Sequence, residues 1–229
     1  MWFVNYRTQR LKDVSQSTVN HETSYLRAVF SELDRLGIYE SVNSLSKVRT
    51  FKEQERELAF LEENQIKLLL KGCDNSTNNH CGIVVRICLL TGARWSEANN
   101  LKRSGLMNNA IRFSDTKNRK IRAVPVLDWL IDRIKEVSFP GPMSQLFASC
   151  KSAFRSAIDR SGIETPRGQM THILRHTFAS HFIMSGGNIL TLQRILGHSD
   201  LKITMRYAHL PPDYMQQVID LGLASICRG

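Results

Sequence analysis

The run T-H-I-L-R-H-T at 171–177 puts His172, Arg175 and His176 at i, i+3 and i+4, so on a helix all three side chains leave from nearly one face. They would stand near the helix N-terminus, where unpaired N–H groups and the helix dipole favour an anion. That is the makeup of a phosphate site. The His-x-x-x-His spacing also suits zinc. Here an arginine stands between the two histidines and Ile173 occupies the place of the glutamate in HExxH proteases, so a cation is disfavoured and no metal site is expected. His176 itself reads as a residue packed against its own domain, with no part in chemistry.

Two further clusters could act on the same anion. Between Arg94 and Arg122, eight basic residues (Arg94, Lys102, Arg103, Arg112, Lys117, Arg119, Lys120, Arg122) face only Glu97 and Asp115, a net +6 out of +10 for the whole chain. Charge runs are usually solvated faces. Arg94, however, follows a Thr-Gly turn at the end of the apolar run GIVVRICLLTG (82–92), where an arginine meant only for solvent has no reason to be. In the other cluster, I-L-G-H-S-D (195–200) is followed by I-T-M-R-Y-A-H-L (203–210), so Tyr207 arrives nine residues after His198 with Arg206 beside it.

The elements that must position these residues are mostly helices. Residues 17–36 carry Val19, Leu26, Val29, Phe30, Leu33 and Leu36 on one stripe, with Ser17 as the expected N-cap and Gly37 as the stop. Residues 40–60 have scattered apolar positions among charges and read as a connection, with a domain boundary near 46–58. Ile66, Leu69 and Leu70 mark a short helix ended by Gly72, and 82–92, apolar on almost every side, reads as a central helix. From Ala110 the pattern AIRFSDTKNRKIRAVPV predicts a β-hairpin whose polar tip, Asp115 to Lys120, is exposed. Helical periodicity returns with Leu127, Leu130, Ile131, Ile134 and Val137, then with Phe154, Ala157 and Ile158. Thr171, Asn188 and Asp213 are the expected caps of three more helices, the first reaching about Ser185, the second Gly197, and the last carrying Met215, Val218 and Ile219.

Composition bounds the partner. The chain has 229 residues, 42% of them hydrophobic, which suffices for a sizeable core, and 31 Lys and Arg against 21 Asp and Glu. A partner carrying negative charge follows, and nucleic acid leads over membrane or acidic protein. No window reaches the length of a membrane span and the N-terminus lacks a signal-peptide pattern, so a soluble, intracellular protein is expected. The five cysteines, Cys73, Cys81, Cys88, Cys150 and Cys227, include no Cys-x-x-Cys pair, which argues against a disulfide framework and a zinc ribbon.

Taken together, T-G-A-R-W-S-E, D-T-K-N-R-K, H-I-L-R, L-G-H and Tyr207, in this order, resemble the catalytic set of the tyrosine recombinases, also called phage integrases, and among them the P2-like phage integrases. The match spans about residues 58–221. The resemblance implies a fold that is mainly α with a small antiparallel β-sheet (α+β): a tyrosine recombinase catalytic domain preceded by a shortened helical core-binding domain. The implied division is a partial DNA-binding domain at 1–50, a linker at 51–60 and a catalytic domain with a C-terminal tail at 61–229. The chain is shorter at its N-terminus than the family pattern, which implies a fragment or a shortened gene product with the catalytic set intact and full recombination impaired.

By resemblance the catalytic residues are Arg94, Lys117, His172, Arg175, His198 and Tyr207. Tyr207 would attack a DNA phosphodiester and store it as a 3′-phosphotyrosine, with His172 as candidate base. Arg94 and Arg175 would bind the non-bridging oxygens in place of a metal, His198 would add a hydrogen bond, and Lys117 at the hairpin tip would protonate the leaving 5′ oxygen. Lys120 is the alternative acid, Tyr214 the rival nucleophile, and Glu97 a buttress. No cofactor is implied. The implied partners are double-stranded DNA attachment sites, further copies of the chain (a tetramer in the synaptic complex) and host or phage DNA-bending proteins, in the bacterial cytoplasm at the nucleoid. Two other readings stay open: a type IB topoisomerase, and a DNA-binding remnant of a prophage integrase that has lost activity.

Overall fold

The computed structural model describes residues 2–39, 43, 45–52, 58–114, 121–139, 144–166 and 168–210. The chain divides into two compact units, residues 1–57 and 58–229.

In the first unit, α1 (Trp2–Arg10) and α2 (Gln16–Arg35) form a helical pair. α1 has no counterpart in the sequence reading: its single turn-and-a-half of apolar periodicity is interrupted by Asn5 and Arg7. Its residues are held to α2 by polar contacts instead. The Arg10 guanidinium donates to both carboxylate oxygens of Glu22 at 2.9–3.2 Å, and the Tyr6 hydroxyl donates to the same carboxylate. α2 begins two residues earlier than a cap at Ser17 implies, because Ser15 is the N-cap; its hydroxyl accepts from the backbone N–H of Thr18. Val19 is fully buried, whereas Leu26, Val29 and Leu36 on the same stripe are exposed. Asn20 clamps the returning chain, accepting from the Phe51 N–H at 2.8 Å and donating to the Phe51 carbonyl at 3.0 Å.

The second unit is built around α4 (Cys81–Thr91). Its residues are apolar on nearly all sides and Cys81, Ile83, Val84, Val85, Ile87 and Cys88 are buried, as a helix enclosed by others requires. α3 (Glu63–Asp74), α6 (Asp128–Val137), α7 (Lys151–Arg160) and α8 (His172–Met184) pack against it. α3 runs through Gly72 rather than ending there; Gly72 keeps negative φ, so it continues the helix. Three short pieces carry the remaining connections: α5 (Trp95–Asn99), α9 (Ile189–Leu196) and α10 (Leu201–Met205). α5 and α10, five residues each, are too short to show a period and were not legible as helices.

The hairpin strands are β1 (Ala110–Ser114) and β2 (Ile121–Pro125), paired antiparallel from Ala110↔Pro125 to Ser114↔Ile121. Ile111, Phe113 and Val124 turn into the core. The hairpin tip with Lys117 and Lys120, and the last expected helix with Tyr214, lie outside the described residues. The described unit is therefore mainly helical with one two-stranded antiparallel sheet. Among the described residues no helix is long and apolar enough to cross a membrane, and Cys73, Cys81, Cys88 and Cys150 are buried free thiols.

Candidate active site

Arg175 is the anchor. It projects from the first turn of α8 and is only 5% exposed. A buried guanidinium must have its donors satisfied, and here Nη1 donates to the Gly92 carbonyl at 2.8 Å and Nη2 to the Leu196 carbonyl at 2.7 Å. Both carbonyls lie at helix C-termini, of α4 and α9, where the dipole favours a cation. Gly92 makes this approach possible: its φ is +64°, and a Cβ there would lie 2.5 Å from Phe178 and 2.7 Å from Leu196. Burial, with Arg94 and Arg122 nearby, pushes the Arg175 pKa down to about 10.

Arg94 follows this turn as the residue before α5, and Glu97 one turn later accepts from the Arg94 backbone N–H at 2.7 Å and from its Nη1 at 3.3 Å. Glu97 is in turn gripped by Arg122 of β2, whose two terminal nitrogens donate to its two oxygens at 2.8 and 2.7 Å. Burial alone would raise the Glu97 carboxyl, but the Arg122 and Arg94 contacts hold it below the ordinary value. The Arg122 guanidinium also lies 4.9 Å from the Phe113 ring centre. Arg122 was legible only as one charge in the basic stretch, since its partner is 25 residues away and no local spacing links them.

The histidines complete the site. His172, the first residue of α8, is exposed, and partial desolvation with Arg175 and Arg94 lowers its pKa. His198 follows Gly197, a C-cap with φ +71° that ends α9, and its Nδ1 shares a hydrogen bond with Thr204 Oγ1 at 2.9 Å. Burial and the arginines push His198 down to about 4. Both rings are therefore neutral near pH 7.

Tyr207 sits in the turn after α10 and is 1% exposed. Its ring packs with Ala179, Ile183, Leu192 and Leu196, and its hydroxyl is 2.7 Å from Nδ1 of His176. His176 packs within its own unit, as expected, but its partner there was not: at i+4 from His172 on α8 it reaches Tyr207, a contact between residues 31 apart that helical spacing could not reveal. Burial raises the Tyr207 pKa while Arg175 and Arg206 oppose that shift. The structure thus brings Arg94, Arg175 and Glu97 into one charged network, with His198 and Tyr207 packed against the same α8–α9 region.

The geometry can be set against known proteins. Residues 59–213 match the model of the phage integrase family, and residues 1–52 that of the phage integrase N-terminal domain. The chain is 49% identical over 216 residues to the integrase of Escherichia phage 186, covering 94% of this chain and 63% of that protein. The integrase of Haemophilus phage HP1 is 48% identical over 226 residues, with 95% and 66% covered. The solved catalytic domain of HP1 integrase superposes with a TM-score of 0.68 at 50% identity, covering 74% of this chain and 98% of that domain. The chain spans slightly less than two thirds of the length of these integrases. With the family model matching residues 59–213, more than half of the chain, this chain belongs to the phage integrase family.

Proposed function

We propose that this chain is the catalytic part of a site-specific DNA recombinase that breaks and rejoins strands through a 3′-phosphotyrosine, for integration and excision. The observation that carries the reading is the cluster of Arg94, Arg122 and the buried Arg175 near a single carboxylate, Glu97, which accepts from the first two. Three guanidiniums and one acid leave an excess of positive charge in a partly desolvated place, which an anion of the size of a phosphodiester would neutralise.

The proposed division of labour follows from position. Tyr207 Oη forms the new bond to phosphorus and the bond from phosphorus to the 5′ oxygen breaks, so the phosphodiester is exchanged rather than hydrolysed. The phenolic proton passes to His172, neutral at pH 7, and Lys117 gives a proton to the departing 5′ oxygen. Arg94 and Arg175 bind the non-bridging oxygens as charge builds, and His198 donates a further hydrogen bond. No metal or cofactor enters this scheme.

Double-stranded DNA is the proposed partner. A neighbour in fold, XerH recombinase, was solved bound to its difH substrate and superposes with a TM-score of 0.75 at 20% identity. Residues 1–50 are read as a core-DNA-binding part, 51–60 as a linker and 61–229 as the catalytic part. Exchange between two duplexes calls for four copies in the synaptic complex, with DNA-bending proteins as helpers, at the bacterial nucleoid.

The test is a nicked suicide DNA substrate carrying the attachment site, followed by denaturing electrophoresis. A covalent protein–DNA adduct is expected, and Tyr207→Phe should abolish it while leaving DNA affinity within a few-fold. An adduct that survives in that variant would move the role to Tyr214; no adduct with the unaltered chain on its own site would favour a DNA-binding remnant.

A further inference from the structure

We propose that His176 is a positioning residue that holds the Tyr207 hydroxyl in a stowed place inside the protein, so that release from His176 precedes attack on DNA. This rests on the reading of Tyr207 as nucleophile. Three observations meet at this pair. Tyr207 is 1% exposed, so in this conformation its oxygen is out of reach of a phosphodiester approaching from solvent. The Oη is 2.7 Å from His176 Nδ1, a short hydrogen bond that satisfies an otherwise buried polar atom. And the ring is seated among Ala179, Ile183, Leu192 and Leu196, so hydroxyl and ring are both accommodated inside the unit.

The chemistry of the pair separates holding from proton removal. With the ring proton on Nε2, Nδ1 accepts the phenolic proton; with the other tautomer it donates to Oη; either form satisfies the oxygen. Burial, with His172, Arg206 and Arg175 around it, pushes His176 down to about 4, while burial raises Tyr207. An imidazole that weakly basic is a poor acceptor for a full proton from so weak an acid, but it remains a sound hydrogen-bond partner. His172, one turn earlier on α8 and exposed, is left as the base for the released tyrosine.

The chain around Tyr207 is built to let go. α10 is five residues long, and the turn that carries the tyrosine is closed by Tyr207 N–H to the Thr204 carbonyl and Leu210 N–H to the Tyr207 carbonyl. No long helix has to unwind for this turn to shift. Moving out costs the Oη–Nδ1 bond and the ring's burial, and contacts with bound DNA would offset that cost.

The experiment compares nitration of Tyr207 by tetranitromethane in the full chain without DNA, read by peptide mass spectrometry, with the exposed Tyr25 as internal reference. Tyr207 in the unaltered chain should react far more slowly than Tyr25. His176→Leu removes the partner and should raise Tyr207 nitration about tenfold, the scale of one buried hydroxyl left unsatisfied; His176→Gln, which can still bond the hydroxyl, should restore slow reaction. In parallel, single-turnover cleavage of saturating suicide DNA by His176→Leu should be as fast as in the unaltered chain or faster. Unchanged nitration in His176→Leu, or an equal rise in both variants, would overturn the proposal. So would a fall in cleavage beyond about threefold, which would make His176 part of the chemical step. If Tyr207→Phe still forms the adduct, the assignment of the nucleophile fails, yet the nitration contrast still reports on the bond itself.

Discussion

The arginine side and the tyrosine side of the site are braced in different ways. Arg175 is fixed by carbonyls from two other helix ends, and Arg94 is fixed through Glu97 by Arg122 on a strand 25 residues further along. The two Arg175 ties and the Arg122–Glu97 pair join segments distant in sequence, whereas Arg94 meets Glu97 three residues on. On the tyrosine side the ties are mostly local: His198 bonds Thr204 six residues on, and Tyr207 closes a turn on Thr204. The long-range ties there are the single bond to His176 and the burial of the ring. The contrast matches the two roles proposed above. Charge stabilisation gains most from donors that do not reorganise, whereas a nucleophile that forms a covalent bond must travel with its phosphate.

The sharpest way to break this comparison is at Arg175. Arg175→Ala should lower single-turnover cleavage by about 10² to 10³, with a smaller change in affinity. It should also destabilise the fold, because the Gly92 and Leu196 carbonyls lose buried partners. Arg175→Lys should rescue neither, since one ammonium cannot reproduce the two-pronged contact. Normal melting with lost cleavage would mean that the brace is not structural.

Lys117→Ala should cost about a hundredfold in cleavage, the lower end for a general acid. A substrate with sulfur in place of the bridging 5′ oxygen leaves without a proton, so it should rescue Lys117→Ala and leave Arg175→Ala impaired. Rescue of Lys120→Ala instead would identify the other lysine as the acid.

The sequence carried the anchors of this site further than its contacts. Arg94 was legible from its place after an apolar helix and Thr-Gly, and the cap at Asn188 was legible because its side chain is of the type that accepts from Leu190 and Thr191 N–H groups. The hairpin showed through its alternation, which holds along β2 and, beyond the buried pair Ala110 and Ile111, along β1. What stayed hidden depends on three-dimensional proximity or on length. Arg122 and His176 meet their partners 25 and 31 residues away, so each looked like an ordinary surface or packing residue. α10 is shorter than two turns, so the piece that leads into the turn with Tyr207 has no period to read. Ser15 and Ser17 are equally good caps by type, and only the chain path in three dimensions selects Ser15.

Acid should act on the two sides in separate windows. His176 and His198 are pushed from 6.5 to about 4 by burial, so the unfolded chain binds their protons first. Stability from these buried neutral rings is fully present above about pH 6.5 and is lost as pH falls toward 4. Glu97 is depressed below its ordinary 4.5, so its contribution is lost only as pH falls below that value. Thermal melts from pH 7 to pH 3 should therefore lose stability in two stages. His198→Gln should flatten the upper stage and Glu97→Gln the lower one; flattening of both by either variant would show that the two sides unfold as one.

The smallest effect expected is at Gly197, where the two sides join. Leu196, just before it, gives its carbonyl to Arg175, and His198, just after it, bonds Thr204. Gly197 has φ +71°, and a Cβ there would stand 3.4 Å from Arg122 Cδ and Nη1, ordinary contact rather than a clash. Gly197→Ala should then cost only left-handed backbone strain, about 1 kcal/mol, or a drop of roughly 2–4 °C in Tm for a domain of this size. Gly92→Ala should cost more, because its Cβ would meet Phe178 at 2.5 Å and Leu196 at 2.7 Å in addition to the strain at φ +64°. If the joint merely separates two independently held sides, cleavage by Gly197→Ala stays within about threefold of the unaltered chain, the scale of that small free-energy change. A much larger loss of cleavage with the same small loss of Tm would mean that the backbone at Gly197 sets His198 against Arg175, and that the arginine side holds the tyrosine side in place after all.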